Sequence, residues 1–344
     1  MTRTTPERPV DAEALFPELS GYRRTGTRLH PRKGNPERHE SSVAGPFLWP
    51  ADEPWPTCQA VHEKSRGHRL TDVRLRRRIL DEAWRRDPQR GPSDEEREVL
   101  AGLKSGLHAP DLRDTDPIPM LAAAQLYIHD IPDLIGPEGY DLLQILWCPF
   151  EVHGPDRALD VVVKWRRSQD VTDVLTEFPE PDVVGRAECV PSPCVLHPEQ
   201  ITEHEYVGLL SEALQERIET WEEELLEAAE ENEEEYPEGE EHELTYQHDL
   251  SIPPGWKVGG FASWHLTDPA PVDCSSCGTP MRPILTVADR EWDLGSVSWV
   301  PIEDRQAVRT RGANTPTDVY LGRGLMRIFT CPTDPTHPHR LNFQ

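Results

Sequence analysis

Proline limits what this chain can fold into more than any other feature. There are 35 prolines in 344 residues, roughly twice ordinary usage. Each removes a backbone donor and fixes φ, so long helical bundles and uninterrupted parallel sheets are disfavoured. Short strands, many turns and much ordered loop remain. Hydrophobic residues make up 36% of the chain and 10 of them are Trp, which is enough apolar material for a core. The length suggests two domains, or one large one with insertions.

Charge narrows the choice of partners. Lys+Arg number 36 against 62 Asp+Glu, a net charge of −26. A field of that sign repels phosphate backbones and anionic membranes, which argues against nucleic-acid binding and favours basic partners. Residues 201–250 hold 19 acids and Arg217 alone among Lys and Arg, so −18 of the charge is concentrated there. The N-terminus shows no apolar signal segment and no run of 18 apolar residues occurs. The expectation is a cytoplasmic protein without signal peptide or membrane span. Its 7 Cys then read as thiols or metal ligands, because disulfides rarely persist in that compartment.

Texture along the chain divides it into segments. Residues 1–44 read as a polar N-terminal tail, and 45–200 as a first β-rich module with strands near 120–128, 142–147 and 158–166. Residues 64–112 interrupt that module with a basic amphipathic helix and a second helix that Ser93 and Glu96 cap. They are expected to form a separable helical insertion, with 12 Lys+Arg against 8 acids over 64–104. Residues 201–250 form an acidic helix, with Leu209, Leu210, Leu214, Ile218, Trp221 and Leu225 at helical spacing. It runs into a solvated Glu-rich segment. Residues 251–344 make a second β-rich module. The fold class expected is α+β and β-rich: two duplicated β-sheet modules with a helical insertion and an acidic helix between them.

The duplication rests on four features in the same order. Gly45 to Cys58 resembles Gly259 to Cys274, and Pro119-Met120 resembles Pro280-Met281. Leu143-Gln-Ile-Leu-Trp-Cys148-Pro149 resembles Leu325-Met-Arg-Ile-Phe-Thr-Cys331-Pro332. The insertion accounts for the longer first copy.

Metal ligation is the chemistry that the spacing suggests. Cys274-Ser-Ser-Cys277-Gly278 has zinc-knuckle spacing, with Gly supplying a permissive turn. Cys331 and His337 complete a set of four, with His339 in reserve. The first copy offers Cys58, His62, Cys148 and His153 at corresponding places, a second Cys2His2 set. Cys189 and Cys194, beside His197, have irregular spacing and read as part of a structural loop.

The residues from Trp256-Lys-Val-Gly-Gly-Phe261 to Trp264, Cys274-Ser-Ser-Cys-Gly-Thr-Pro-Met281 and Arg327-Ile-Phe-Thr-Cys331-Pro332 resemble bacterial YwqG-like proteins. They resemble more distantly the C-terminal domain of the programmed cell death protein 2 group. Leu146-Trp-Cys-Pro-Phe150 and Pro193-Cys-Val-Leu-His-Pro-Glu199 resemble the actinobacterial branch. The likeness implies a duplicated β-rich fold, to which the ligand spacing adds structural zinc. It also implies a protein-binding, chaperone-like role toward a basic polypeptide client such as a ribosomal protein.

No Walker loop, G-x-G-x-x-G, G-x-S-x-G or H-E-x-x-H occurs. The one enzyme-like echo is His197-Pro-Glu199 followed by Cys274-x2-Cys277, which resembles the H-x-E…P-C-x-x-C of zinc deaminases. Asp273 stands where that motif has Pro. A binding role accounts for more of the sequence than a zinc-dependent hydrolase does. An immunity-type protein that neutralises a toxin is the alternative, with the acidic run mimicking nucleic acid.

Overall fold

The computed structural model describes residues 2–104, 112–150, 153, 159–231, 243–321, 324–334 and 336–344. Two six-stranded antiparallel sheets dominate it. The first sheet is built on a meander of Ser42–Val43, Leu121–Tyr127, Leu142–Trp147 and Val161–Arg166. The second is built on Lys257–Gly259, Arg282–Ala288, Leu325–Thr330 and Arg340–Phe343, joined in the same order. Mixed α+β architecture with a repeated β unit is therefore the fold.

The repeat extends to local irregularities. In the first meander the register shifts between Ala122 and Ala124, and in the second between Pro283 and Leu285. Each shift lies just after the Pro-Met pair, so one extra residue bends both strands at corresponding points. Thr57–Cys58 pairs with Ile118–Pro119, as Asp273 does with Pro280. Ala44, at φ 49°, occupies the place of Gly259, at φ 69°.

One core holds both sheets together. Ala123, Leu143, Ile145 and Trp147 from the first pack in the same buried cluster as Leu285, Val287, Met326 and Ile328 from the second. Alternation within each strand sends the intervening side chains to the outer faces. The outer face of the first sheet is covered by Phe47, Trp49, Trp55 and Phe150.

Within residues 1–44, expected as a tail, three segments are strands of this sandwich. Arg23–Arg28 is an interior strand of the second sheet, flanked by Glu199–His204 and Lys257–Gly259. Arg32–Lys33 continues into the first sheet, where it pairs with Cys194–Val195. Strand pairing buries backbone that a tail would leave in water, and Leu29 lies fully inside the core. Residues 201–204, expected at the start of the acidic helix, belong instead to the Glu199–His204 strand, and the helix runs Glu212–Glu231. Its Leu214 and Ile218 are buried with Phe16, Leu19 and Tyr246, while Leu209 and Leu225 of the expected face are exposed. Residues 232–242 of the Glu-rich segment lie outside the described residues.

The insertion is helical, as Leu70–Arg86 and Asp94–Lys104, but its base is not separable. Leu70 and Val73 sit in the shared core. His68–Arg69 pairs with Val183–Val184. The Arg77 guanidinium donates to the carbonyls of Val190, Ala187 and Asp318. No helix among the described residues is long and apolar enough to cross a membrane.

Candidate metal centres

Each copy carries its ligand set where its short hairpin meets the end of the strand before Cys148 or Cys331. In the first copy Cys58 lies on the hairpin and Cys148 directly follows the Leu142–Trp147 strand. His62 Nε2 stands 3.4 Å from both the Cys58 and Cys148 sulfurs, and His153 Nε2 is 3.9 Å from Cys58. All four ligand atoms lie within 4.8 Å of one another. A tetrahedral zinc ion would set S···N edges near ~3.6 Å and S···S edges near ~3.8 Å. The two His62 contacts come close to those edges, and the whole set is compact enough to gather on one ion.

The second copy has the tighter turn. The Cys274 amide donates to Thr279 and the Gly278 amide to Cys274, closing the knuckle with Gly278 at φ 71°. Cys277 and Cys331 sulfurs are 3.5 Å apart, and His337 Nδ1 is 3.4 Å from Cys274. His337 is thus the fourth member. His339, the reserve, faces the backbone of Val161 and stands outside the group.

Electrostatics differ between the two. Burial holds the His62 imidazole down to about 4, with neighbouring His153 and Lys64 adding to it. Burial also pushes the Cys148 thiol far up, and the Cys58 thiol reinforces this. The His62 ring stacks on Phe150 at 4.6 Å, and its Nδ1 is buried without a hydrogen-bond partner. A site whose burial disfavours imidazolium at His62 and His153 and thiolate at Cys148 is one that a divalent cation would transform, by converting thiol to thiolate. In the second copy the chain itself eases ionisation of two of the three thiols. The Thr279 hydroxyl and amide lower the Cys277 thiol. At Cys331 burial opposes ionisation, but the amides of Asp334 and Thr333 outweigh it. Cys274 is raised by burial. Each set offers four Cys/His donors, enough to close the tetrahedral shell of one divalent metal ion.

The remaining cysteines take no part. Cys189 is in the shared core, and Cys194 bonds to the Pro316 carbonyl, with burial pushing its thiol up to about 12. His197 and Glu199 are not among the groups around Cys274 and Cys277. The Glu199 carboxylate accepts from Thr5 at 2.9 Å and faces His30 at 3.4 Å. The deaminase-like pattern is therefore not assembled.

Sequence reading missed a set of buried charges beside the second centre's sheet. Lys257 donates to Glu203, both inside the protein. A Cβ on Gly260 would come within 2.3 Å of that carboxylate, which is why Lys-Val-Gly-Gly stands at this turn. His30 lies between Glu291 at 3.2 Å and Glu199, and Arg28 donates to the Trp299 carbonyl. The sequence signal for them is Lys257-Val-Gly-Gly, in which Gly260, a residue without a side chain, stands where the Glu203 carboxylate approaches. Scans find no matching family model for this chain and no matching curated protein.

Proposed function

We propose that this protein is a chaperone-like binding module for a basic polypeptide client, resembling YwqG-like proteins, with its duplicated sandwich braced by two structural zinc ions. One observation carries the reading: two four-membered Cys/His groups occur at corresponding positions of the two copies, each complete from the chain itself. A centre with four protein ligands has no open position for a substrate or water, so its role is structural. What the sandwich offers is surface. The net charge of −26 draws cationic partners and quickens their encounter. The Arg340–Phe343 strand ends its sheet, and a free strand edge suits an extended peptide added by backbone pairing.

Metal analysis of the full chain purified with zinc present should give two equivalents, and none would overturn the structural part. Affinity capture from the native cell, followed by mass spectrometry, should recover a basic protein. A ribosomal protein would fit the chaperone reading, and a toxin would favour an immunity role. Replacing the glutamates of 223–243 by glutamine should slow association with that client and flatten its salt dependence, because the field of such a charge run is screened by salt. Unchanged kinetics would mean the run serves solubility alone.

A further inference from the structure

The two copies differ on their outer faces, and the difference opens a cavity. Register places Ser42, Gln125, Gln144 and Lys164 in a row across the first meander. The corresponding row of the second is Lys257, Thr286, Arg327 and Asn342. In the first copy the segment Phe47-Leu48-Trp49 is laid over the row. The Leu48 amide donates to Gln125 Oε1 at 2.7 Å, and Gln144 donates to the Leu48 carbonyl at 3.0 Å. In the second copy Ala262-Ser263-Trp264 takes that place. Arg327 donates to the Ser263 carbonyl, so half of the arrangement is kept. Thr286, however, is too short to do what Gln125 does, and Ala262 and Ser263 are smaller than Phe47 and Leu48. A cavity of about 550 Å³ results, lined by Lys257, Thr286, Arg327, Phe261, Trp264 and Trp292 among others.

Its floor is unsatisfied. Thr286 Oγ1 and Arg327 Nε are buried without hydrogen-bond partners, in residues only 4% and 1% exposed. Arg327 makes its other contacts to neutral groups, the Ser263 carbonyl, Asn342 Oδ1 and the Trp264 ring 4.8 Å away, and is in no ion pair with a described residue. The nearby acids are engaged elsewhere: Glu203 with Lys257, Asp289 with Arg290 at 3.3 Å, and Asp293 with Ser296 at 2.7 Å. A buried guanidinium without a counter-charge is costly. Beside a cavity walled by aromatic rings, an anion with an apolar body relieves that cost.

We propose that this cavity binds a carboxylate-bearing ligand, its carboxylate on Arg327 and Thr286 and an aromatic or aliphatic body against Trp264 and Trp292. The carboxylate belongs either to a small organic acid or to the C-terminus of a polypeptide, and both present the same group to the floor. This site is independent of the metal centres and of the acidic surface.

Tryptophan fluorescence and calorimetry on the full zinc-loaded chain test it. The probes are phenylacetate, indole-3-acetate, phenylacetamide, inorganic phosphate, and a short peptide ending in Phe with either a free or an amidated C-terminus. Saturable binding of an aromatic acid or of the free-ended peptide is expected, and which of the two binds identifies the source. The neutral amides should bind at least about tenfold more weakly, the scale of one charge-assisted bond. Arg327→Met should weaken the acid by a similar factor. Thr286→Val, which keeps side-chain shape if the first variant fails to fold, should weaken it about threefold to tenfold. Absence of binding by every carboxylate, equal binding of acid and amide, binding of phosphate alone, or unchanged affinity in a folded variant would overturn the proposal.

Discussion

At the scale of single residues, the buried pair of Lys257 and Glu203 carries the sharpest expectation. Removing one partner leaves the other charged and dry. Glu203→Gln should therefore cost about 3–5 kcal/mol in urea unfolding, whereas replacing both residues by apolar ones of similar volume should cost far less. Two other carboxylates set the acid limit of the fold. At Glu291 burial opposes ionisation, but the His30 ring and the Arg32 and Arg28 guanidinia hold its carboxyl down to about 2. Glu199 is likewise held to about 2, with burial outweighed by His30 and Thr5. Because both folded values lie below the ordinary carboxylate value, their stabilisation is fully present above about pH 4.5. It is lost as pH falls toward 2. Unfolding midpoints measured between pH 5 and 2.5 should decline steeply, and Glu291→Gln should flatten the decline.

At the scale of elements, the insertion shows how a repeat can be interrupted without being broken. It is spliced between His62 and Ile118, inside the hairpin that carries the first centre. Lys64 closes the splice by donating to the Arg113 carbonyl at 2.8 Å and to that of Asp116. Arg77→Met should destabilise the protein by about 2 kcal/mol through the carbonyls it abandons. A Gly/Ser linker in place of residues 88–104 should leave unfolding cooperative, while one replacing 64–112 should abolish soluble protein, since Leu70 and Val73 go with it.

The metal ligands were legible because each copy spaces its pair closely and the second copy repeats the first. The meander strands were legible because Leu142–Trp147 and Leu325–Thr330 are continuous apolar runs. Arg23–Arg28 was not, because its sequence, Arg-Arg-Thr-Gly-Thr-Arg, alternates no apolar residues. Its interior position rests on backbone pairing and on buried charge, which composition reads as surface. The paired strands of two residues, such as Cys194–Val195, carry too few side chains to show a period at all.

At the scale of the whole molecule, the two centres should respond unequally to attack. Cys58, His62 and Cys148 are buried, whereas Cys277 is exposed. A thiol reagent applied to zinc-loaded protein should modify Cys277 first and release one equivalent of metal well before the other. Cys148→Ala should lose one equivalent and lower the melting temperature, leaving the second centre loaded.

The linking segments make the sandwich indivisible. Residues 23–33 supply one strand to each sheet, and residues 194–204 do the same in reverse. Neither 45–200 nor 251–344 expressed alone contains its full set of strands, so each should be insoluble, and co-expression with the missing segments should rescue it. The same crossing has a consequence for vectorial synthesis. As the chain leaves the ribosome, Arg23–Arg28 must wait about 170 residues for its first neighbour and more than 50 beyond that for its second, Lys257–Gly259. At elongation rates of about 5–20 residues per second that is on the order of ten seconds or more with the strand unpaired. A strand made early thus waits for neighbours that are made much later.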